Sequence, residues 1–225
     1  MVVLAVFLGN PGAAYRRHRH NAGRLLAERL SLPLPGGRPG AFGSLVWTKK
    51  FKGLYAPVEL SPRGDSAAPP GRAHFLMPET YMNLSGEAAA AAAGFFKIKP
   101  EELILVHDEL ELPLGTVSLK RGGGLGGHNG LRSARQCLGT ADFWRLRLGI
   151  GRPPGRLPGE GGPPVKGVRE GGGGEIARWV LSDFERGEEP ALEAVLEAGA
   201  QVLAAALTAG PETLLPEWGK KRVIP

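Results

Sequence analysis

The chain has 225 residues, 42% hydrophobic and 22% charged, a composition that fits one globular domain and argues against wholesale disorder. Its 28 Lys and Arg outnumber its 22 Asp and Glu, giving a net charge of +6, which suits either a nucleic-acid partner or an ordinary solvated surface. Cys137 is the only cysteine, so an internal disulfide is excluded and a cytoplasmic location is expected. The apolar run Val2–Leu8 is too short for a signal peptide or a membrane span, and none is expected.

Apolar runs separated by turn residues predict strands and helices in alternation. Val2–Leu8 is apolar throughout and is expected at the centre of a sheet. The other predicted strands are Ser44–Trp47, Leu54–Leu60, His74–Met77, Leu103–His107, Thr116–Lys120 and Phe143–Gly149. The predicted helices are Asn21–Leu30, Leu84–Phe96, Asn129–Leu138, Glu175–Leu181 and Pro190–Leu207. This alternation predicts a single α/β domain over residues 1–225, with a twisted, mixed and largely parallel sheet flanked by helices.

Local residue chemistry adds finer expectations. Asn21 is expected to cap the first helix, and either Ser85 or Asn83 the second. Apolar and basic residues alternate along Phe143–Gly149, which predicts a half-exposed strand. Two segments dense in Pro and Gly, 61–72 and 153–174, are predicted to be flexible insertions.

Polar side chains follow the predicted strands at the edge where ligands bind in α/β sheets. Asn10 and His20 follow the first strand, and Asp108 ends the strand Leu103–His107. A carboxylate beside an imidazole would fix its tautomer and favour its protonated form. A solvated histidine and a solvated acidic turn are the alternatives. The amides of Asn83 and Asn129 could donate to a carbonyl oxygen or a developing oxyanion.

A glycine-rich stretch offers a competing hypothesis. Gly122, Gly124 and Gly127 match the G-x-G-x-x-G dinucleotide fingerprint between a strand and a helix, and Asp142 lies about 20 residues further on. The fingerprint normally follows the first strand of its unit, whereas this strand comes late in the chain and is amphipathic. A nicotinamide-dependent oxidoreductase is therefore the weaker interpretation.

Five linked motifs resemble bacterial-type peptidyl-tRNA hydrolases in order and approximate spacing. They are GNPGAAYRRHRHNAG, MPETYMNLSG, HDELELPLG, GGGLGGHNGLRS and FWRLRLGIGRP, which together span most of residues 3–153. The resemblance implies a single α/β domain that cleaves the ester between a peptide and the 3′ ribose of tRNA. It also implies a monomer that needs no metal or cofactor and binds the acceptor stem, the 3′ end and the peptide part of peptidyl-tRNA.

The resemblance assigns roles residue by residue. His20 resembles the catalytic base, Asp108 its acidic partner, and Asn10 the residue that senses the peptide. Family substrate-binding positions match Tyr15, Tyr81, Asn83 and Asn129. Basic residues around the glycine-rich stretch are expected to hold tRNA phosphates: Lys120, Arg121, Arg132 and Arg135, with Lys97 and Lys99 as weaker candidates.

The sequence also departs from the family pattern. His18 stands where Thr is usual, and a second imidazole there would either perturb His20 or be exposed. Ser118 replaces a residue that is often basic, and Leu125 one that is often polar. A non-catalytic RNA-binding protein on the same fold is the second hypothesis, although Asn10, His20 and Asp108 are all retained.

Overall fold

The computed structural model describes residues 2–30, 45–60, 71–153 and 173–224. Within these ranges eight strands form one sheet. They are β1 (Leu4–Phe7), β2 (Thr48–Lys50), β3 (Gly53–Leu60), β4 (Gly71–Pro78), β5 (Leu103–Glu109), β6 (Thr116–Arg121), β7 (Trp144–Gly149) and β8 (Lys221–Arg222). Their order across the sheet is β2-β3-β4-β1-β5-β7-β6-β8.

Strand direction confirms the predicted mixed sheet with a parallel centre. β1 pairs in parallel with β4 and β5, and β5 pairs in parallel with β7. Antiparallel pairing adds β3 and β2 on one side and β6 and β8 on the other. The carboxyl ends of β4, β1, β5 and β7 therefore point to the same edge of the sheet.

The predicted helices are all present in the described ranges. They are α1 (Ala22–Leu30), α2 (Ser85–Phe96), α3 (Asn129–Leu138), α4 (Gly173–Val180) and α5 (Glu189–Ala209), followed by a short α6 (Leu215–Trp218). The bounds of α3 are those predicted. Short 3₁₀ turns precede several helices, among them Arg19–Asn21 before α1 and Met82–Leu84 before α2.

The period-2 geometry of β1 divides the core between the two faces of the sheet. Ala5 and Phe7 face one side and pack in a cluster with residues of α1 and α5. Leu4 and Val6 face the other and pack with residues of α2 and α3. All four side chains are fully buried, so β1 is the central, doubly covered strand that its sequence predicts.

The segment Arg186–Ala209 is long and apolar enough to cross a membrane by length and composition alone. However, Val195, Val202 and Leu203 on one face of α5 are buried in the core shared with β7 and α1. Core helices of globular proteins have the same composition, so α5 is interpreted as a core helix.

Both predicted helix caps are wrong. Asn21 lies in a 3₁₀ turn, where its side chain bonds to the backbone N–H and carbonyl of Asn10 instead of capping α1. The residue preceding α2 is Leu84, with no side-chain cap bond, and the buried Ser85 hydroxyl has no partner among the described residues. At the start of α1, tertiary packing therefore overrides local capping chemistry.

Two strand predictions also need correction. The strand predicted at Ser44–Trp47 lies instead at Thr48–Lys50, where it pairs antiparallel with β3 at the edge of the sheet. β7 is buried rather than half exposed, because Trp144, Leu146 and Leu148 pack in the core on one face and Arg145 on the other bonds to the Gly124 carbonyl of the glycine-rich loop. Only Arg147 along it is partly exposed.

The predicted insertions fall mostly outside the described residues. At their ends, Gly71 and Arg72 belong to β4, Pro153 is buried, and α4 begins at Gly173. Those end residues were wrongly assigned to flexible segments, since Pro- and Gly-rich composition does not locate the first residue of the following element.

Gly86 in the first turn of α2 offers a test of this packing. A Cβ there would lie 2.1 Å from the carbonyl oxygen of Ser133 in α3, whereas at Gly94 in the same helix it would meet nothing within 4 Å. We expect Gly86→Ala to lower the free energy of unfolding by about 1–3 kcal/mol, and Gly94→Ala to raise it by about 0.5–1 kcal/mol. Urea unfolding of both variants measures the difference, and equal effects would contradict the close approach of α2 and α3.

Candidate active site

A cleft of about 630 Å³ opens at the carboxyl edge of the parallel strands. It collects residues from the loops after β1 and β4, from the end of β5 and from the start of α3. Of the predicted site residues, it is lined by Asn10, Tyr15, His20, Tyr81, Asn83, Asp108, Asn129 and Arg132. Lys120 and Arg121 do not line it.

A buried histidine–aspartate pair forms the floor of this cleft. His20 is held on the 3₁₀ turn before α1, and Asp108 lies near the end of β5. The Nδ1 atom of His20 is 2.9 and 3.0 Å from the two carboxylate oxygens of Asp108. Because Asp108 occupies Nδ1, Nε2 is the ring nitrogen left for chemistry in the cleft.

The pair shifts the proton affinity of both members. Burial by itself lowers the pKa of His20, but the charge and hydrogen bond of Asp108 outweigh it, so that the pKa is raised above 6.5. Burial raises the pKa of Asp108, but His20 and His128 together hold it well below its ordinary value. Asp108 therefore stays ionised while the His20 imidazole is a stronger base than usual.

His128 is a third member of the site, which the sequence analysis missed. Its Nδ1 accepts from the backbone N–H groups of Gly130 and Leu131 at 3.1 and 3.4 Å, capping α3. An accepting Nδ1 carries no proton, so the proton of the neutral ring lies on Nε2, which donates to Asp108 at 3.0 Å. A histidine at the predicted start of a helix, after the glycine-rich loop, was the only available signal.

This tautomer also bears on metal binding. One donor atom from each of His20, Asp108 and His128 lies within 4.8 Å of the others, a grouping that could hold a metal ion. A metal ligand needs an unprotonated nitrogen, whereas Nε2 of His128 carries its proton as long as Nδ1 caps α3. The arrangement suits a hydrogen-bonded carboxylate better than a metal centre.

His107 supports Asp108 from the backbone side. Its Nδ1 donates to the carbonyl oxygen of Asp108 at 2.7 Å. Complete burial and the neighbouring His128 hold its pKa well below the ordinary value, so the ring is neutral. His20 and His107 thus differ in state beside the same aspartate, and His20, with its raised pKa, lines the cleft.

Asn10 links the loops after β1 and β4. Its side-chain oxygen accepts from the backbone N–H of Met82 at 2.8 Å, and its own backbone is held by Asn21. With the oxygen occupied, the amide nitrogen is the group left to donate. Tyr81, with its ring edge-on to Tyr15 at 6.4 Å, is exposed at the mouth of the cleft.

The basic residues occupy different positions. Lys120 and Arg121 are exposed at the end of β6, where Arg121 makes two 2.8 Å bonds to Asp142. Arg132 lines the cleft and, with Arg135, a neighbouring shallow depression beside the glycine-rich loop. Lys97 and Lys99 line neither.

The departures from the family pattern have local explanations. His18 packs against Tyr15 and lies 4.0 Å from Asp183, and the shift at His20 arises from burial and Asp108 alone. The Ser118 hydroxyl donates to the carbonyl of Gly219 and accepts from Arg147. Leu125 lines the cleft.

The fold and this pair are typical of a hydrolase of the α/β class, with a histidine oriented by a carboxylate at the carboxyl edge of a parallel sheet. The family model for peptidyl-tRNA hydrolase matches residues 4–223. A peptidyl-tRNA hydrolase of Treponema pallidum (strain Nichols) is 43% identical over 228 residues, covering 99% of this chain and 97% of that protein.

Solved structures agree. A crystal structure of peptidyl-tRNA hydrolase from Acinetobacter baumannii matches with a TM-score of 0.69 and 28% identity, covering 96% of this chain and 91% of that chain. A complex of peptidyl-tRNA hydrolase with N-propanol matches with a TM-score of 0.66 and 27% identity over the same shares. The chain belongs to the peptidyl-tRNA hydrolase family, and its reaction is the hydrolysis of peptidyl-tRNA.

The competing hypotheses fare differently. None of these comparisons supports a purely RNA-binding protein on the same fold. The glycine-rich loop follows β6, an antiparallel strand one place from the sheet edge, whereas a dinucleotide fingerprint follows the first strand of a parallel unit. The oxidoreductase interpretation is therefore not supported.

The arrangement around Asp108 predicts opposite changes in the pH profile of hydrolysis. His128→Asn can still cap α3 but is too short to reach Asp108, so more of the carboxylate charge acts on His20 and the pKa of His20 rises. Asp108→Asn removes that charge and lowers it. Because the base acts unprotonated, the rise of kcat/KM with pH should move to higher pH in the first variant and to lower pH in the second. Profiles that shift in the same direction would contradict the tautomer assigned to His128.

Proposed function

We propose that His20 is the general base for hydrolysis of the ester that links a peptide, or an N-blocked amino acid, to the 3′ ribose of tRNA. The product tRNA returns to translation. The observation that carries this proposal is the buried contact of 2.9 Å between Nδ1 of His20 and Asp108, in a cleft open to substrate. No metal or cofactor enters the mechanism, because an ester needs only an activated water and a stabilised oxyanion.

The steps follow from the assigned protons. Nε2 of His20 takes a proton from a water whose oxygen attacks the ester carbonyl carbon, and the carbonyl electrons move to its oxygen. Asp108 stabilises the imidazolium that forms. When the carbonyl re-forms, the bond to the ribose oxygen breaks and the imidazolium returns its proton to that oxygen. A positioned base of this kind contributes on the order of 10²–10⁴ in rate.

Amides around the cleft supply uncharged donors for the substrate. The side chain of Asn10 is fixed through its oxygen to Met82, so its NH₂ group is positioned to recognise a carbonyl of the peptide. Asn83 and Asn129 line the same cleft, and either can bind the oxyanion or position the water. Tyr15 and Tyr81 are placed to stack on the terminal adenosine or the peptide.

The partner is peptidyl-tRNA, held by its acceptor stem, 3′ end and peptide. We assign phosphate binding to Arg132, which lines the cleft, and to Lys120, which is exposed at the end of β6. Arg121 contributes less because it already pairs with Asp142. In line with the family resemblance, we propose that the enzyme acts as a monomer. Cys137 is a free thiol, which is typical of proteins in a reducing compartment. Together with the tRNA substrate, it supports a cytoplasmic location.

The decisive assay measures release of N-acetyl-amino acid from N-acetyl-aminoacyl-tRNA. We expect the unmodified protein to cleave this ester and to leave unblocked aminoacyl-tRNA intact. His20→Ala should lose about 10²–10⁴ in kcat, since the variant lacks the proposed general base. Full activity of His20→Ala would refute the assigned base, and tight binding of tRNA without cleavage by the unmodified protein would favour the RNA-binding alternative.

Salt dependence tests the phosphate contacts. Each lost phosphate contact should reduce the slope of log affinity against log salt by about 0.9, so Lys120→Ala and Arg132→Ala should each weaken tRNA binding and flatten the slope. Arg121→Ala is the matched control on the same strand as Lys120, and its smaller effect reflects the ion pair with Asp142. Binding titrations at salt concentrations from about 50 to 300 mM measure the slopes, because this range includes physiological ionic strength. Unchanged slopes for both test variants would exclude these contacts.

A further inference from the structure

A buried cation lies next to the proposed base in the sequence. Arg19 is 1% exposed, and its two terminal nitrogens donate to both carboxylate oxygens of Glu188 at 2.9 and 2.6 Å. The guanidinium carbon lies 3.7 Å from the ring centre of Trp179 and 4.9 Å from that of Phe184. We call Arg19, Trp179, Phe184 and Glu188 the Arg19 clamp.

The clamp joins two segments that are far apart in the chain. One is the 3₁₀ turn Arg19–Asn21, which carries His20, and the other is the stretch from α4 to the start of α5. Their backbones already meet, since the N–H of Arg19 donates to the carbonyl of Ser182 at 2.9 Å and His18 forms an isolated β-bridge with Asp183. The side chain of Arg19 adds a second, orientation-dependent attachment.

The second segment also forms part of the cleft. Four apolar residues of this segment line the same cleft as His20: Ile176, Ala177 and Val180 of α4, and Leu181, which follows α4. Trp179 is fixed in turn, because its indole N–H donates to the carbonyl of Gly151 at 2.8 Å. The side chain of Arg19 therefore links the turn that holds His20 to an apolar wall of the cleft.

The chemistry of the clamp favours orientation over stability. Arg19 is almost completely removed from water and Glu188 partly so, with 25% of its side chain exposed. Removing charges from water is costly, and apolar side chains of similar volume often replace such an ion pair without loss of stability. However, the Arg19 guanidinium bonds to both oxygens of one carboxylate and packs against two aromatic rings. These contacts fix both its plane and its direction. A methionine in the same space would fill it without fixing either segment.

We propose that Arg19 is a positioning residue for hydrolysis, which sets the place of His20 relative to the α4 wall of the cleft. The proposal rests on the role of His20 proposed above. Arg19 itself does not line the cleft, so it acts through the turn and the wall. Small displacements of a reacting group can cost about 10²-fold in rate.

The test removes the ion pair but keeps the volume. In Arg19→Met/Glu188→Leu we expect a thermal midpoint within about 4 °C of the unmodified protein. We expect kcat for N-acetyl-aminoacyl-tRNA to be at least tenfold lower, a larger change than in KM. The rise of kcat/KM with pH should keep its midpoint, because His20 and Asp108 remain paired. Arg19→Lys keeps the charge but cannot donate from two nitrogens to both oxygens of Glu188 as Arg19 does. It should therefore show a similar fall in kcat.

A matched control lies beside the clamp, since Arg17 precedes the turn and Glu189 is the first residue of α5. Arg17 and Glu189 form an ion pair of 2.9 Å that is well exposed, so Arg17→Gln/Glu189→Gln should change kcat less than twofold. This control measures the effect of removing charge beside the clamp without disturbing the clamp itself.

The outcomes separate the two proposals. Normal kcat in both Arg19→Met/Glu188→Leu and Arg19→Lys would overturn the positioning role. A loss of activity that only follows a fall in the folded fraction would make Arg19 a structural residue and would also overturn it. Activity retained in His20→Ala would instead overturn the assigned base, whatever the Arg19 variants show.

Discussion

The buried carboxylate of Asp108 is the constraint on which the rest of the site depends. A charge removed from water costs several kcal/mol unless hydrogen bonds and opposite charge compensate for it. Here the compensation comes from ring nitrogens of His20 and His128, at 2.9 and 3.0 Å. The turn before α1 and the start of α3 must therefore both meet the end of β5, and this requirement shapes the loops between them.

The three histidines that bond to Asp108 are in different states, although their side chains are chemically identical. His107 is neutral because it is wholly buried, and it uses its only proton on the backbone of Asp108. His128 is fixed in one tautomer because α3 needs a cap. His20 has one nitrogen committed to Asp108 and the other available to substrate. Environment rather than residue type thus distinguishes His20, the proposed base, from the other two histidines, a conclusion that composition and spacing could not provide.

Sequence reasoning reached the parts of the structure that have strong local signals. We could predict the apolar run of β1, the bounds of α3 and the polar residues at the strand ends. The periodicity of buried residues and the direction of the strands determine these features. Asn21 was misassigned as a cap because its amide instead bonds to the backbone of Asn10, a long-range contact with no local signature. His128 and Arg19 were missed for the same reason, since their partners lie at distant positions in the chain.

The glycine-rich loop shows why a motif can resemble another protein's site without sharing its chemistry. Gly126 and Gly127 have φ of 57° and 75°, conformations that glycine adopts without strain. The next residue is His128, which must both cap α3 and reach Asp108. Both contacts of His128 require a sharp turn just before it, which accounts for Gly126 and Gly127 at these positions. The buried Arg145 holds the middle of the loop through the carbonyl of Gly124 at 2.7 Å. The glycines are explained by the placing of a histidine beside a buried carboxylate, and no pyrophosphate is needed to account for them.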